Sequence, residues 1–224
     1  MKKRLLAALL SSVMVFTMSG TYMTRPVALA AKQNTKNEQR STIGMYGNTD
    51  GFLLSDGTKT AKVYVDKAHE EISEGEGKQY CGMEIIANTF ADDVEKVTGK
   101  KAEVIYETKD ISDNVIIAGT VENNEVIKKL VSQNVMDVSG LYKDDKLKWD
   151  CYQMQFISGT DLEKCGYTGV KQALVIAGSN KRGAMYGLFH ISERIGVSAW
   201  VYMADAVPVQ YSAVYLDRNS LEFN

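Results

Sequence analysis

Candidate chemistry concentrates in one hexapeptide, Gly178-Ser-Asn-Lys-Arg-Gly183, which the flanking pattern places between the end of a strand and the start of a helix. Backbone N–H groups left unpaired in a first helical turn, with the helix dipole behind them, favour anions at such a point. Lys181 and Arg182 add positive charge, and a guanidinium grips a carboxylate through two parallel hydrogen bonds. Tyr186, one turn on in the run Lys181-Arg-Gly-Ala-Met-Tyr-Gly187, joins them as a candidate substrate-binding residue. The alternative reading is structural: Gly183 and Gly187 permit close helix–sheet packing while Arg182 pairs with a neighbouring acid. Nucleotide binding fails as an account, because neither G-x-G-x-x-G nor G-x-x-x-x-G-K-[ST] is present.

The remaining reactive residue types form no catalytic constellation. His190 falls mid-helix beside an apolar stripe, and His69 stands in the acidic, glycine-rich run 69–77, which reads as a solvated loop. Two isolated histidines without cysteine or carboxylate spacing give no zinc site, and no cofactor is expected. There is no G-x-S-x-G elbow to anchor a hydrolase triad, and Cys81 has no basic neighbour to activate its thiol. A Cys151–Cys165 bridge would need Cα atoms within about 7 Å. The pattern puts Cys151 in a strand and Cys165 in the loop beyond it, so three free thiols are expected. Paired carboxylates need a cleft, and 224 residues are too few for a full (β/α)₈ barrel, which takes about 250.

The elements that must position the hexapeptide are legible from periodicity. Leu174–Ala177 is a buried strand, and the helix Gly183–Ile195 follows with Ala184, Met185, Leu188, Phe189, Ser192 and Ile195 as its apolar stripe. Gly196 closes it, and Trp200–Met203 reads as a last strand. Upstream, Gly51–Leu54, the Ser55-Asp-Gly-Thr58 turn and Ala61–Val65 read as a β-hairpin. Lys78–Val97 is a helix with Met83, Ile86, Ala87, Phe90, Val94 and Val97 on one stripe, closed by Gly99. Ala102–Tyr106 and Val115–Gly119 are strands, the second apolar enough to be buried on both faces. Asn123 or Asn124 caps a helix carrying Val126, Ile127, Leu130 and Val131 inward. Residues 138–148 read as loop, Trp149–Ile157 alternates as a strand, and 159–169 is a turn-rich connection.

The echo of VIIAGT and LVIAGS suggests two neighbouring parallel strands, each leading to a helix. The expected fold is therefore an α/β (α+β) sandwich: a mixed β-sheet with about three helices packed on it and a β-hairpin lead-in.

The N-terminus carries a separate message. Lys2, Lys3 and Arg4 precede an apolar run from Leu5 to Phe16, and Ala28-Leu29-Ala30 offers small residues for cleavage. This is the pattern of a signal peptide over 1–30, with cleavage near Ala30 and a secreted product. The run is short of the roughly 20 apolar residues of a membrane span, so no stable membrane span is expected. Residues 31–50 read as a disordered lead-in, and 51–209 as the folded domain. A net charge of −2 and a pI near 5.8 give no reason to expect a nucleic-acid partner.

The segment LVIAGSNKRGAMYGLFHISERIGVSAW, with Ala204-Asp-Ala-Val-Pro208 beyond it, resembles the N-terminal accessory domain of glycoside hydrolase family 115, the xylan α-glucuronidases. Val97-Thr-Gly-Lys-Lys101, Gly119-Thr120 and Gly51-Phe-Leu53 fit the same domain, so the resemblance covers about 51–209. The chain departs from the family pattern at Ala199, where proline is usual, and at Val201, Tyr202 and Met203, where the family is richer in aromatics. The resemblance implies a non-catalytic domain of an enzyme that removes glucuronic acid side groups from xylan. Its catalytic carboxylates would lie on a following barrel, an intramolecular partner absent from these residues, with 210–224 starting the linker to it. Acidic xylan or its oligosaccharides is the implied ligand. A free-standing extracellular carbohydrate-binding or assembly module is the alternative.

Overall fold

In a computed structural model, the structure describes residues 44–66, 82–201, 203–204 and 206–217. The expected leader over 1–30, most of the lead-in, the acidic run 69–77 with His69, and Cys81 lie outside the described residues.

The chain opens with β1 (Gly44–Tyr46) and β2 (Phe52–Ser55), then turns into β3 (Lys62–Val65). Helix α1 spans Gly82–Thr98, and its buried Met83, Ala87, Phe90, Ala91, Asp93, Val94 and Val97 recur at three- and four-residue spacing. Next come β4 (Val104–Ile105), β5 (Asp113–Thr120) and α2 (Glu125–Ser132). Asn124 caps α2 by accepting a hydrogen bond from the Ile127 amide at 3.0 Å. The short strands β6 (Tyr142–Lys143) and β7 (Lys146–Leu147) pair with each other inside the expected loop. β8 (Tyr152–Ser158) leads into the short α3 (Gly159–Lys164), where the sequence suggested only turns. β9 (Val170–Gly178), α4 (Lys181–Arg194) and β10 (Tyr211–Leu216) complete the order.

The main sheet has five strands in the order β4-β3-β5-β9-β8, parallel except for the antiparallel edge strand β8. The echoing strands β5 and β9 are parallel neighbours as expected. Their register is one residue out of step with the echo, since Thr120 opposes Gly178 rather than Ser179. Alternate residues of these strands serve opposite faces. Ile116, Ala118, Leu174 and Ile176 join the core under α1 and α4, whereas Val115, Ile117, Ala173, Val175 and Ala177 join the core with α2 and α3. Continuous apolar runs are what a sheet covered on both faces demands. The mixed sheet with helices on it is thus the fold that the sequence indicated.

Four expectations are corrected. The β-hairpin lead-in is reduced to one Ser55–Thr60 bridge and an Ala61-to-Leu54 backbone bond of 2.8 Å. Beyond that turn β2 leaves for a second sheet of order β1-β10-β2. Residues 44–46 of the expected lead-in pair in that sheet, so 51–209 is too narrow a domain. Trp200–Met203 is not the last strand: Val201 and Met203 donate to the carbonyls of Ser198 and Trp200 at 3.0 Å each, closing successive turns. The last strand is β10, which runs through the expected linker and brings buried Val214 and Leu216 to the α1 side of the core.

Candidate functional site

The hexapeptide sits where expected, at the carboxyl end of β9 and the first turn of α4. Asn180 is the helix N-cap, its Oδ1 accepting from the Gly183 amide at 2.9 Å. Its Nδ2 donates to Asp150 Oδ1 at 2.8 Å, and Arg182 Nη2 donates to Asp150 Oδ2. Asp150 has a positive φ of 54°, a backbone that aspartate tolerates better than most residues. The Arg182 guanidinium, and then Asn180, hold its carboxyl below the ordinary carboxylate range. Ser179 ties the same two segments together. Its amide donates to the Cys151 carbonyl at 2.8 Å, and its Oγ accepts from the Cys151 amide at 3.0 Å.

Glycine is required at 183 by close approach: a Cβ there would lie 2.1 Å from the Cys151 carbonyl oxygen. At Gly187 a Cβ would meet Ile176 Cγ2 at 2.3 Å, where a side chain rather than backbone must yield. The close packing at Gly183 and Gly187 and the pairing of Arg182 with an acid, as the structural alternative expects, are both present.

Of the candidate substrate-binding residues, Arg182 and Tyr186 share one exposed face of α4 a single turn apart, with Arg182 already bonded to Asp150. Lys181 is exposed on the first turn. Tyr186 is the one that reaches a concavity, a groove between α1 and α4 that also takes in Phe189, His190 and Trp200. His190 Nδ1 lies 2.6 Å from the Tyr152 hydroxyl of β8, and burial holds its imidazole below the ordinary value, with Arg194 adding to the effect. Burial likewise raises the Tyr152 phenol.

Phe189 corrects the sequence-derived stripe. At 100° per residue it stands about 140° around the helix from Ala184, and it is 42% exposed, while Ile191 takes the inward place. The signal that points to this groove is a pair of outward aromatic rings on an otherwise polar helix face; in the sequence Tyr186 reads as a substrate-binding candidate, but Phe189 reads as core.

Cys151 and Cys165 are free thiols. Among the described residues no group of three or more His, Cys, Asp or Glu is placed to hold a metal ion, and no helix is long and apolar enough to cross a membrane.

No protein-family model matches the chain, and no curated protein does. Among solved structures, a family GH115 4-O-methyl-α-glucuronidase, BtGH115A, described as specific for decorated arabinogalactans, matches with 20% identity and a TM-score of 0.47. The match covers 70% of this chain and 16% of that enzyme.

Proposed function

We propose that this chain is a non-catalytic accessory α/β domain of a secreted α-glucuronidase-like glycoside hydrolase, working in xylan breakdown beside a catalytic barrel in its parent polypeptide. The reading starts from the sequence resemblance over 51–209. The observation that carries it is the commitment of the resembling segment to architecture. Asn180 and Arg182 hold Asp150, Ser179 holds Cys151, and Gly183 lets the helix seat against the strand. Residues spent in this way build a scaffold rather than a reaction centre. Export follows from the leader pattern, and N-terminal sequencing of the exported protein is expected to begin at Ala31.

The purified chain, incubated with glucuronoxylan, is expected to release no glucuronic acid. Turnover that disappears on replacing one of the chain's own carboxylates would refute the accessory reading.

The second reading is a free-standing carbohydrate-binding or assembly module. It is favoured by the aromatic rings that Tyr186, Phe189 and Trp200 expose around one groove.

A further inference from the structure

The groove between α1 and α4 has a volume of about 770 Å³, and its walls carry the rings of Tyr186, Phe189 and Trp200. These rings are 46%, 42% and 63% exposed. Trp200 is fixed by its backbone. Its amide donates to Ser198 Oγ at 3.1 Å, and its carbonyl accepts from the Ala204 amide at 2.8 Å. These bonds fix the backbone at Trp200, and its ring stays outside the core, 63% exposed.

Polar groups line the same groove. Ser192 is buried, 4% exposed, and its Oγ finds no hydrogen-bond partner among the described residues. Asp93 of α1 is equally buried and accepts from Lys96 Nζ at 2.7 Å on Oδ1; a carboxylate offers further acceptor positions. His190 and Tyr152 add the pair already described.

We propose that this groove is a binding site for a neutral pyranose oligosaccharide. A pyranose ring has an apolar face of C–H groups and a rim of hydroxyls. It matches walls of exposed aromatic rings above convergent polar side chains. The hydroxyls satisfy the Ser192 Oγ, whose burial without a partner is otherwise a standing cost. An apolar protein surface laid over the same groove would leave that cost in place and cover the Asp93 carboxylate as well. Charge sets the specificity. The charged side chains lining the groove are Glu193 and Asp93, the latter paired with Lys96 at 2.7 Å, so a uronate carboxylate meets like charge at Glu193 while an undecorated ring does not. The ligand is thus the neutral sugar backbone, not an acidic branch. The inference is independent of the accessory-domain reading: the hydrolysis assay above tests that reading, and the titration below tests this one.

Trp149→Phe removes the other indole of a chain with two tryptophans, leaving Trp200 as the fluorescent reporter. Xylohexaose, cellohexaose and mannohexaose are titrated into this variant. At least one is expected to shift the Trp200 emission saturably, with a Kd at or below about 1 mM. Calorimetry with the same sugar is expected to show at least about tenfold weaker binding for Trp200→Ala, an exposed position whose loss leaves the fold intact. Ser192→Ala is expected to weaken binding while leaving the melting temperature unchanged or raised, a combination that a purely structural serine would not give.

No saturable change with any of the three sugars up to about 10 mM overturns the proposal. So does unchanged affinity in Trp200→Ala, or tighter binding of a glucuronic-acid-bearing xylo-oligosaccharide than of its undecorated counterpart. Sedimentation showing a concentration-dependent dimer that Trp200→Ala dissolves would instead make the groove an interface between copies, and would equally overturn it.

Discussion

Asp56 stabilises the turn between β2 and β3 by accepting three hydrogen bonds on Oδ1, from the Thr58 amide and hydroxyl at 2.8 and 2.6 Å and from the Lys59 amide at 2.6 Å. These bonds, the Thr58 hydroxyl foremost, hold its carboxyl down to about 2 from an ordinary 3.8. Because the folded value is depressed, its stabilisation is full above the ordinary value and is lost as pH falls from there to about 2. Asp56→Ala should therefore lower the melting temperature at neutral pH, with the gap to the parent closing in acid; a gap that stays constant down to pH ~2 would contradict this. His190 gives a second pH signature of the same sign. Its imidazole is held below the ordinary 6.5 by burial, so below that value the unfolded chain takes up a proton that the folded chain resists. Stability rises with pH through this window, and His190→Gln should flatten that slope in thermal melts collected between about pH 5.5 and about 7.5, one unit either side of the ordinary value. Arg182 belongs to the same scale. Its motif was visible in the sequence, but its partner Asp150 lies 32 positions away, a contact that local spacing does not encode.

Among the elements, the β9–α4 unit is the test of scaffold logic. Gly183→Ala drives a methyl group into the backbone carbonyl of Cys151, and backbone cannot step aside cheaply. A loss of about 3 kcal/mol is expected. Gly187→Ala meets the side chain of Ile176 instead. Its overpacking cost of about 1–2 kcal/mol is offset by about 1 kcal/mol of helix propensity. Denaturant titrations of the two variants should rank Gly183→Ala well below Gly187→Ala, and the reverse order would show that the packing has been misread. Helices α1, α2 and α4 and strands β5, β8 and β9 were legible because each carries its own hydrophobic period. Trp200–Met203 misled because an aromatic beside a valine has strand composition, whereas Ser198–Ala204 closes turns upon itself. The short α3 carries a single buried residue, Leu162, too little for a periodic signal.

At the scale of the whole molecule, β10 joins the two ends of the described chain, pairing Gly44 with Tyr211 and Leu53 with Tyr215. Such distant pairing leaves no local trace, which is why the sequence alone closed the domain at Val209. Ending the chain there removes Val214 and Leu216, both buried against the α1 side of the core. At about 2 kcal/mol for each buried aliphatic side chain, the loss exceeds about 4 kcal/mol before the sheet bonds are counted. The truncated chain should lose its cooperative melt, whereas retention of the parent melting temperature would place β10 outside the folding unit. The groove was illegible for the same reason: α1, β8, α4 and the turn after it converge on it from positions 89 to 201.

In the proposed division of labour the Asn180–Gly183 signature builds the scaffold while the α1–α4 groove makes the sugar contact. Titrating the neutral hexaose that the parent binds against the parent, Arg182→Ala and Trp200→Ala by calorimetry tests it directly. Parent-like affinity for Arg182→Ala with at least about a tenfold loss for Trp200→Ala is the predicted result. Lost affinity in Arg182→Ala with Trp200→Ala unaffected would contradict it.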